Sequence, residues 1–195
     1  MIRQMKSFLT AIALMLASAP ALAQDAGWFA GLGIGHMRTG DDCPVTAAPG
    51  ANCEDEDTTW KIFGGYQFNS YLGFELGLVD LGERPTTLGG LGAATAKFRV
   101  FELLIVGSMP LGKQFSVYGK AGIFQWDVDF EPAPGVMAGG DSNGNDFTYA
   151  LGVKYHFTRS AALRLEWQRY NNVGDPGTTG RFDVDVFGVG ALLSF

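Results

Sequence analysis

Long hydrophobic runs, basic residues, cysteine and histidine are all scarce in this chain, and each scarcity closes off a class of function. Beyond residue 23, no segment approaches the roughly 20 consecutive apolar residues that a transmembrane helix needs. Lysine and arginine number 14 against 20 acidic residues, a net charge of −6. An acidic chain of this kind does not suit nucleic acid. Cys43 and Cys53 are the only cysteines and share one polar segment. With no histidine between or beside them to build a metal site, they are expected to pair as a disulfide. Closing so short a loop stabilises by about 3 kcal/mol or less.

What the chain does carry begins with a leader. Arg3 and Lys6 precede an apolar run from Phe8 to Leu16, and Ala21-Leu-Ala23 stands before Gln24. That layout predicts a signal peptide over 1–23 and a single domain over 24–195. The apolar run is too short for a membrane anchor. Removing the leader takes away two cations and no acid, leaving 172 residues of net charge −8.

The remainder shows a second pattern: segments of about ten residues, apolar on one alternating face and small or charged on the other. Strands are predicted near 27–37, 58–68, 71–81, 95–109, 114–127, 146–157, 161–170 and 184–195. Short turns fall at Asn69-Ser70, Pro110–Gln114 and Thr158–Ser160; long loops fall at 38–57, 82–94, 128–145 and 171–183. Lipid cannot satisfy backbone N–H and C=O groups, so strands cross a bilayer only as a closed sheet. The fold class expected is all-β, an eight-stranded antiparallel up-and-down transmembrane β-barrel. Trp28, Phe68, Phe115, Phe157 and Phe195 fall at the short-turn ends and form one interfacial girdle; Trp60 and Trp167 belong to the other. For any one of these rings taken alone, ordinary core packing is the competing reading.

The segment Phe63-Gly-Gly-Tyr-Gln-Phe-Asn-Ser-Tyr-Leu-Gly-Phe-Glu-Leu-Gly77 resembles the second hairpin of OmpA-like outer-membrane proteins. Val117-Tyr-Gly-Lys-Ala-Gly122, Arg164-Leu-Glu-Trp-Gln168 and Asn171-Asn-Val-Gly-Asp175 extend the resemblance over the whole chain past the leader. It implies residence in the outer membrane of a Gram-negative cell. It also implies assembly by the barrel assembly machinery and periplasmic chaperones through the terminal Phe195 strand. The chain stops at Phe195, so the peptidoglycan-binding domain of longer relatives is expected to be absent. A lumenal salt-bridge cluster acts as plug or gate in that family, and the resemblance places Glu75, Glu166 and Arg181 in it. The family's lysine falls on Val106, which Lys120 and Lys154 would have to replace.

Side-chain parity alone points to a similar interior. Glu75, Glu102, Lys120, Lys154, Arg164 and Glu166 fall on inward faces, and a lumen this narrow is filled by side chains. Counting outward from the turns predicts that Glu102 faces Lys120 and that Lys154 faces Glu166. Catalysis is not expected. His36 points outward with no serine beside it, and His156 is followed by Phe157-Thr158 with no serine partner, whereas a hydroxyl nucleophile needs a base. No cofactor is implied. The acidic loops (Asp41, Asp42, Glu54, Asp55, Glu56, Asp57, Asp129, Glu131, Asp141 and Asp146) read as solvated surface. Within them, Asp141–Asp146 is a weak calcium-loop likeness, with its glycine and terminal acid out of place. The expected role is a monomeric, non-enzymatic barrel supporting envelope integrity among outer-membrane lipid and lipopolysaccharide. A low-conductance pore gated by the lumenal ion pairs is the first alternative, and a surface adhesin or receptor acting through its loops is the second.

Overall fold

The computed structural model describes residues 26–39, 56–87, 93–131, 142–174 and 181–195. Eight antiparallel strands run in chain order: β1 Gly27–Thr39, β2 Glu56–Gln67, β3 Leu72–Thr87, β4 Ala93–Leu111, β5 Phe115–Glu131, β6 Ser142–His156, β7 Ala161–Val173 and β8 Phe182–Ser194. Each pairs with its neighbours, and β1 pairs with β8 to close the barrel. Closure leaves no unpaired sheet edge, which is what a lipid environment demands. The leader, Cys43 and Cys53, and the loop acids Asp41, Asp42, Glu54, Asp55 and Asp141 lie outside the described residues.

The two faces separate as period-two patterning requires. Leu32, Ile105 and Leu165 point outward and are 60–64% exposed. In water such a wall would be a severe liability; against hydrocarbon it is the favoured surface. Trp28, Tyr66, Phe68 and Phe74 gather at the short-turn end of β1–β3, with the Trp28 and Tyr66 rings 5.1 Å apart. Phe115, Tyr155 and Phe157 form a similar group on β5–β6. Trp60 is exposed on the outer wall of β2, and Trp167 packs edge-on against Tyr149 towards the loop end. Phe195 exchanges backbone hydrogen bonds with Trp28, at 2.9 and 3.1 Å.

Several strands run further towards the loop end than alternation suggests. The β3–β4 ladder continues to Thr87↔Ala93, so most of the expected 82–94 loop is strand. A register shift between Asp80 and Glu83, with Gly82 at φ 87°, breaks the period there and hides the continuation.

The turns also set registers that differ from those counted on the sequence. In the β4–β5 hairpin Glu102 faces Phe124, and Lys120 faces Val106. The chain reverses at Gly112, whose φ of +88° suits glycine, while Pro110 stays within the ladder opposite Ser116. In the β6–β7 hairpin Lys154 faces Arg164, and Glu166 faces Gly152. There the Thr158 hydroxyl accepts the Ser160 and Ala161 amides at 3.2 and 3.0 Å, moving the turn centre back to Arg159. The partner of Glu102 therefore slips by four residues and that of Lys154 by two; each even slip preserves the face but changes the neighbour.

Candidate functional site: the lumenal charge layer

The interior has three tiers. At the short-turn end Phe29, Phe63, Ala162 and Leu192 pack together. At the loop end a larger apolar layer draws on six strands, with Met37, Val79, Val100, Phe124, Trp126 and Tyr170 among its members. Phe124 and Tyr170 meet edge to face there, with centroids 5.1 Å apart. Between the two lies a layer of charge.

Three cations and three carboxylates make up that layer. Lys120, with its side chain fully enclosed, donates to Glu75 Oε1 at 2.8 Å and lies 2.6 Å from Glu166 Oε2. Arg164 Nη1 donates to the other oxygen of Glu75 at 2.8 Å, and its guanidinium stacks 3.4 Å from the centroid of the Phe63 ring. Lys61 pairs with Glu102 and lies 3.4 Å from Glu75. Neutral donors complete the network. Gln168 Nε2 donates to Glu102 at 2.7 Å, Tyr170 Oη donates to Glu102 at 2.9 Å, and Tyr118 Oη donates to Glu166 at 2.6 Å. A carboxylate buried to this depth must be paired and hydrogen-bonded, and each of these is.

Glu75, Glu102, Lys120, Arg164 and Glu166 are thus brought together, but across the lumen and not as cross-strand neighbours. Lys154 points inward without joining them; its ammonium lies 4.8 Å from the centre of the Tyr118 ring. Arg181 is exposed, immediately ahead of β8, and stands apart from the layer. Lys61 is a member the motif-based reading omits. Its inward parity on β2 was the available signal, and Gln168, Tyr118 and Tyr170 share that parity on their own strands. Val106 is buried directly opposite Lys120, so the cation enters from the adjacent strand.

One pairing runs against expectation. His156 Nε2 lies 3.2 Å from Ser116 Oγ, a partner supplied by the next strand and invisible to a search along the chain. Lys154, not a carboxylate, is the charged residue beside this pair on β6. His36 sits on the exposed outer wall of β1.

Residues 23–195 match the family model described as the OmpA-like transmembrane domain. The chain belongs to that family. Among its OmpA-like relatives, Outer membrane protein A of Yersinia pseudotuberculosis is 33% identical over 95% of this chain and 55% of its own length. That of Klebsiella aerogenes is 32% identical over 98% of this chain and 56% of its own. This OmpA-like chain spans about half the length of the curated relatives it matches. Solved barrels agree in fold. Neisserial surface protein A superposes with a TM-score of 0.61 at 13% identity, covering 87% of this chain and 99% of that one. The outer-membrane protein OprG of Pseudomonas aeruginosa gives 0.55 at 22% identity, covering 88% and 97%. This OmpA-like barrel therefore resides in the outer membrane, with its apolar wall towards lipid.

Proposed function

We propose that the protein is a sealed, non-catalytic element of the outer membrane that supports envelope integrity and holds its loops outward. The observation that carries this reading is the stacking of two inward-facing layers, one charged and one apolar, inside the barrel. A balanced charge layer lies beneath an apolar layer in which Phe124 and Tyr170 meet edge to face. An ion crossing such a barrel must both displace a paired charge and enter a dry region, and either step costs several kcal/mol. On this reading Met1–Ala23 is removed on export, Phe195 addresses the chain to the assembly machinery and its chaperones, and the barrel works as a monomer in lipid and lipopolysaccharide. The Ser116–His156 contact is structural, because imidazole without a carboxylate behind it is a poorly oriented base.

Planar-bilayer recording tests the reading. The native protein is expected to give no steady openings, and Glu75→Gln alone is expected to stay silent because the apolar layer remains. Reproducible unitary currents from the native protein would overturn the proposal.

A second reading, the low-conductance pore, draws on one observation. Gly33, Gly35, Gly188 and Gly190 leave a cavity of about 30 Å³ beside Lys61, Arg164 and Glu166. That is room for one or two waters, and a rearranged ion pair could use it as the start of a path. Steady native currents altered by Glu75→Gln would favour this reading.

A further inference from the structure

Beyond the lumen, the outer wall carries charge where a membrane-facing surface should not. On the loop side of the apolar band, Arg38, Asp80, Arg99, Asp127, Arg169 and Asp185 all fall on outward parity. They form two arcs. Across β7, β8 and β1 the register reads Arg169↔Asp185↔Arg38. Across β3, β4 and β5 it reads Asp80↔Arg99↔Asp127. Charges alternate in sign along both arcs.

The position of the arcs is fixed by what lies beneath them. Two residues nearer the short-turn end, on the same outward face, stand Leu78, Phe101, Trp167 and Phe187. Trp167 bridges the two zones: its ring joins the girdle while its indole Nε1 donates to Asp185 Oδ1 at 3.1 Å. The same carboxylate takes a two-point contact from Arg169, at 2.8 Å from Nε and 2.5 Å from Nη2. The Arg169 and Asp185 side chains remain 34% and 22% exposed. Charged groups directly beyond an aromatic girdle sit at headgroup depth.

The composition of the arcs selects among headgroup layers. A purely basic belt would suit anionic lipid alone, and a purely acidic one would repel it. Alternating arginine and aspartate present a partner for each component of a phosphate layer cross-linked by divalent cations. The planar guanidinium matches phosphate oxygens, and an exposed carboxylate can share the cation that a neighbouring phosphate holds. All three cations are arginine, the residue whose fork fits phosphate in two-point fashion.

We propose that these two arcs bind the phosphorylated headgroups of outer-leaflet glycolipid together with the divalent cations that bridge them. The proposal rests on the loops-outward orientation adopted above, but not on whether the lumen is sealed. Mutual neutralisation of the six charges, with no lipid preference, is the competing account, and experiment separates the two.

The test uses the full barrel, refolded into nanodiscs of phosphatidylcholine containing purified bis-phosphorylated lipid A, lipid A without phosphates, or phosphatidylglycerol. Retained lipid is read by native mass spectrometry. Preferential retention of bis-phosphorylated lipid A with magnesium is expected, falling several-fold after chelation. Arg38→Gln with Arg99→Gln should weaken retention at each arc by about tenfold, the loss of one charge-assisted contact per arc. Arg38→Lys with Arg99→Lys should restore part of it. Heat-modifiable migration on detergent gels identifies folded variants, and Asp127→Asn supplies a second, milder variant that should lower the magnesium dependence. Equal retention of phosphatidylglycerol, indifference to chelation, or native-like retention by a folded double variant would each overturn the proposal. A conducting lumen in the same preparation would count against the sealed-barrel reading and leave this one standing.

Discussion

Replacing Glu75 by glutamine is the most informative perturbation of the charge layer. Glu75 is 2% exposed and takes contacts from three cations, two of them at 2.8 Å. Neutralising it leaves three buried cations facing two carboxylates. Loss of two charged hydrogen bonds at about 1.5–3 kcal/mol each predicts a destabilisation of about 3–6 kcal/mol. The penalty for leaving a buried charge unpaired gives a similar 3–5 kcal/mol. Lys120, whose side chain has 0% exposure, supplies the internal check. Adding Lys120→Met to Glu75→Gln restores charge balance and should recover at least half of the loss, since an apolar side chain of similar volume can replace one half of a buried pair. Urea titration in phospholipid vesicles, followed by tryptophan emission and gel mobility, measures both quantities. A single-variant loss below about 1 kcal/mol, the range of solvent-exposed ion pairs, would refute the reasoning, because it would mean that water screens the layer.

Other consequences are equally direct. A Cβ at Gly77 would meet Glu102 Oε1 at 2.6 Å, and one at Gly152 would meet the Tyr118 hydroxyl at 2.5 Å. Gly77→Ala and Gly152→Ala should therefore each cost about 1–3 kcal/mol in the same titration. Gly107→Ala, whose nearest atom lies 4.0 Å away, should be nearly neutral. Phe124→Ala empties the centre of the apolar layer and should cost about 3–5 kcal/mol. Intact-mass analysis of protein recovered from the outer membrane should place the amino terminus at Gln24, and reduction should add two hydrogens for a Cys43–Cys53 bond.

The barrel was legible because lipid imposes a simple rule on every strand. Leu163, Leu165 and Trp167 alternate with Arg164, Glu166 and Gln168, and no other solvent makes that alternation favourable with the apolar side outward. Face assignment needs only parity, which alone puts Glu75, Glu102, Lys120, Arg164 and Glu166 inside. Register was less accessible, because it depends on which residue turns the chain. Pro110 looked like a turn residue, but Gly112 performs the reversal, and the Thr158 hydroxyl draws the next turn one position earlier. Contacts across the lumen were out of reach altogether. Lys61 meets Glu102 from two strands away, through curvature that no linear pattern encodes; Ser116 meets His156 diagonally across the β5–β6 pair, which depends on register. The apolar tier was missed for a related reason. Val79, Val100, Phe124 and Val184 sit on inward parity, but where both faces of a strand are apolar the alternation carries no signal.

Site-directed spin labelling along β7 tests most directly whether this cylinder keeps hydrocarbon outside and paired charge within. Labels would be placed one at a time from residue 162 to 169 in bilayers, with Cys43 and Cys53 replaced by serine. Positions 163, 165 and 167 should collide with oxygen dissolved in the lipid, whereas even positions should be shielded both from oxygen and from a water-soluble nickel complex. Free access of the nickel complex to residues 164, 166 and 168, or loss of the odd–even alternation, would contradict the account.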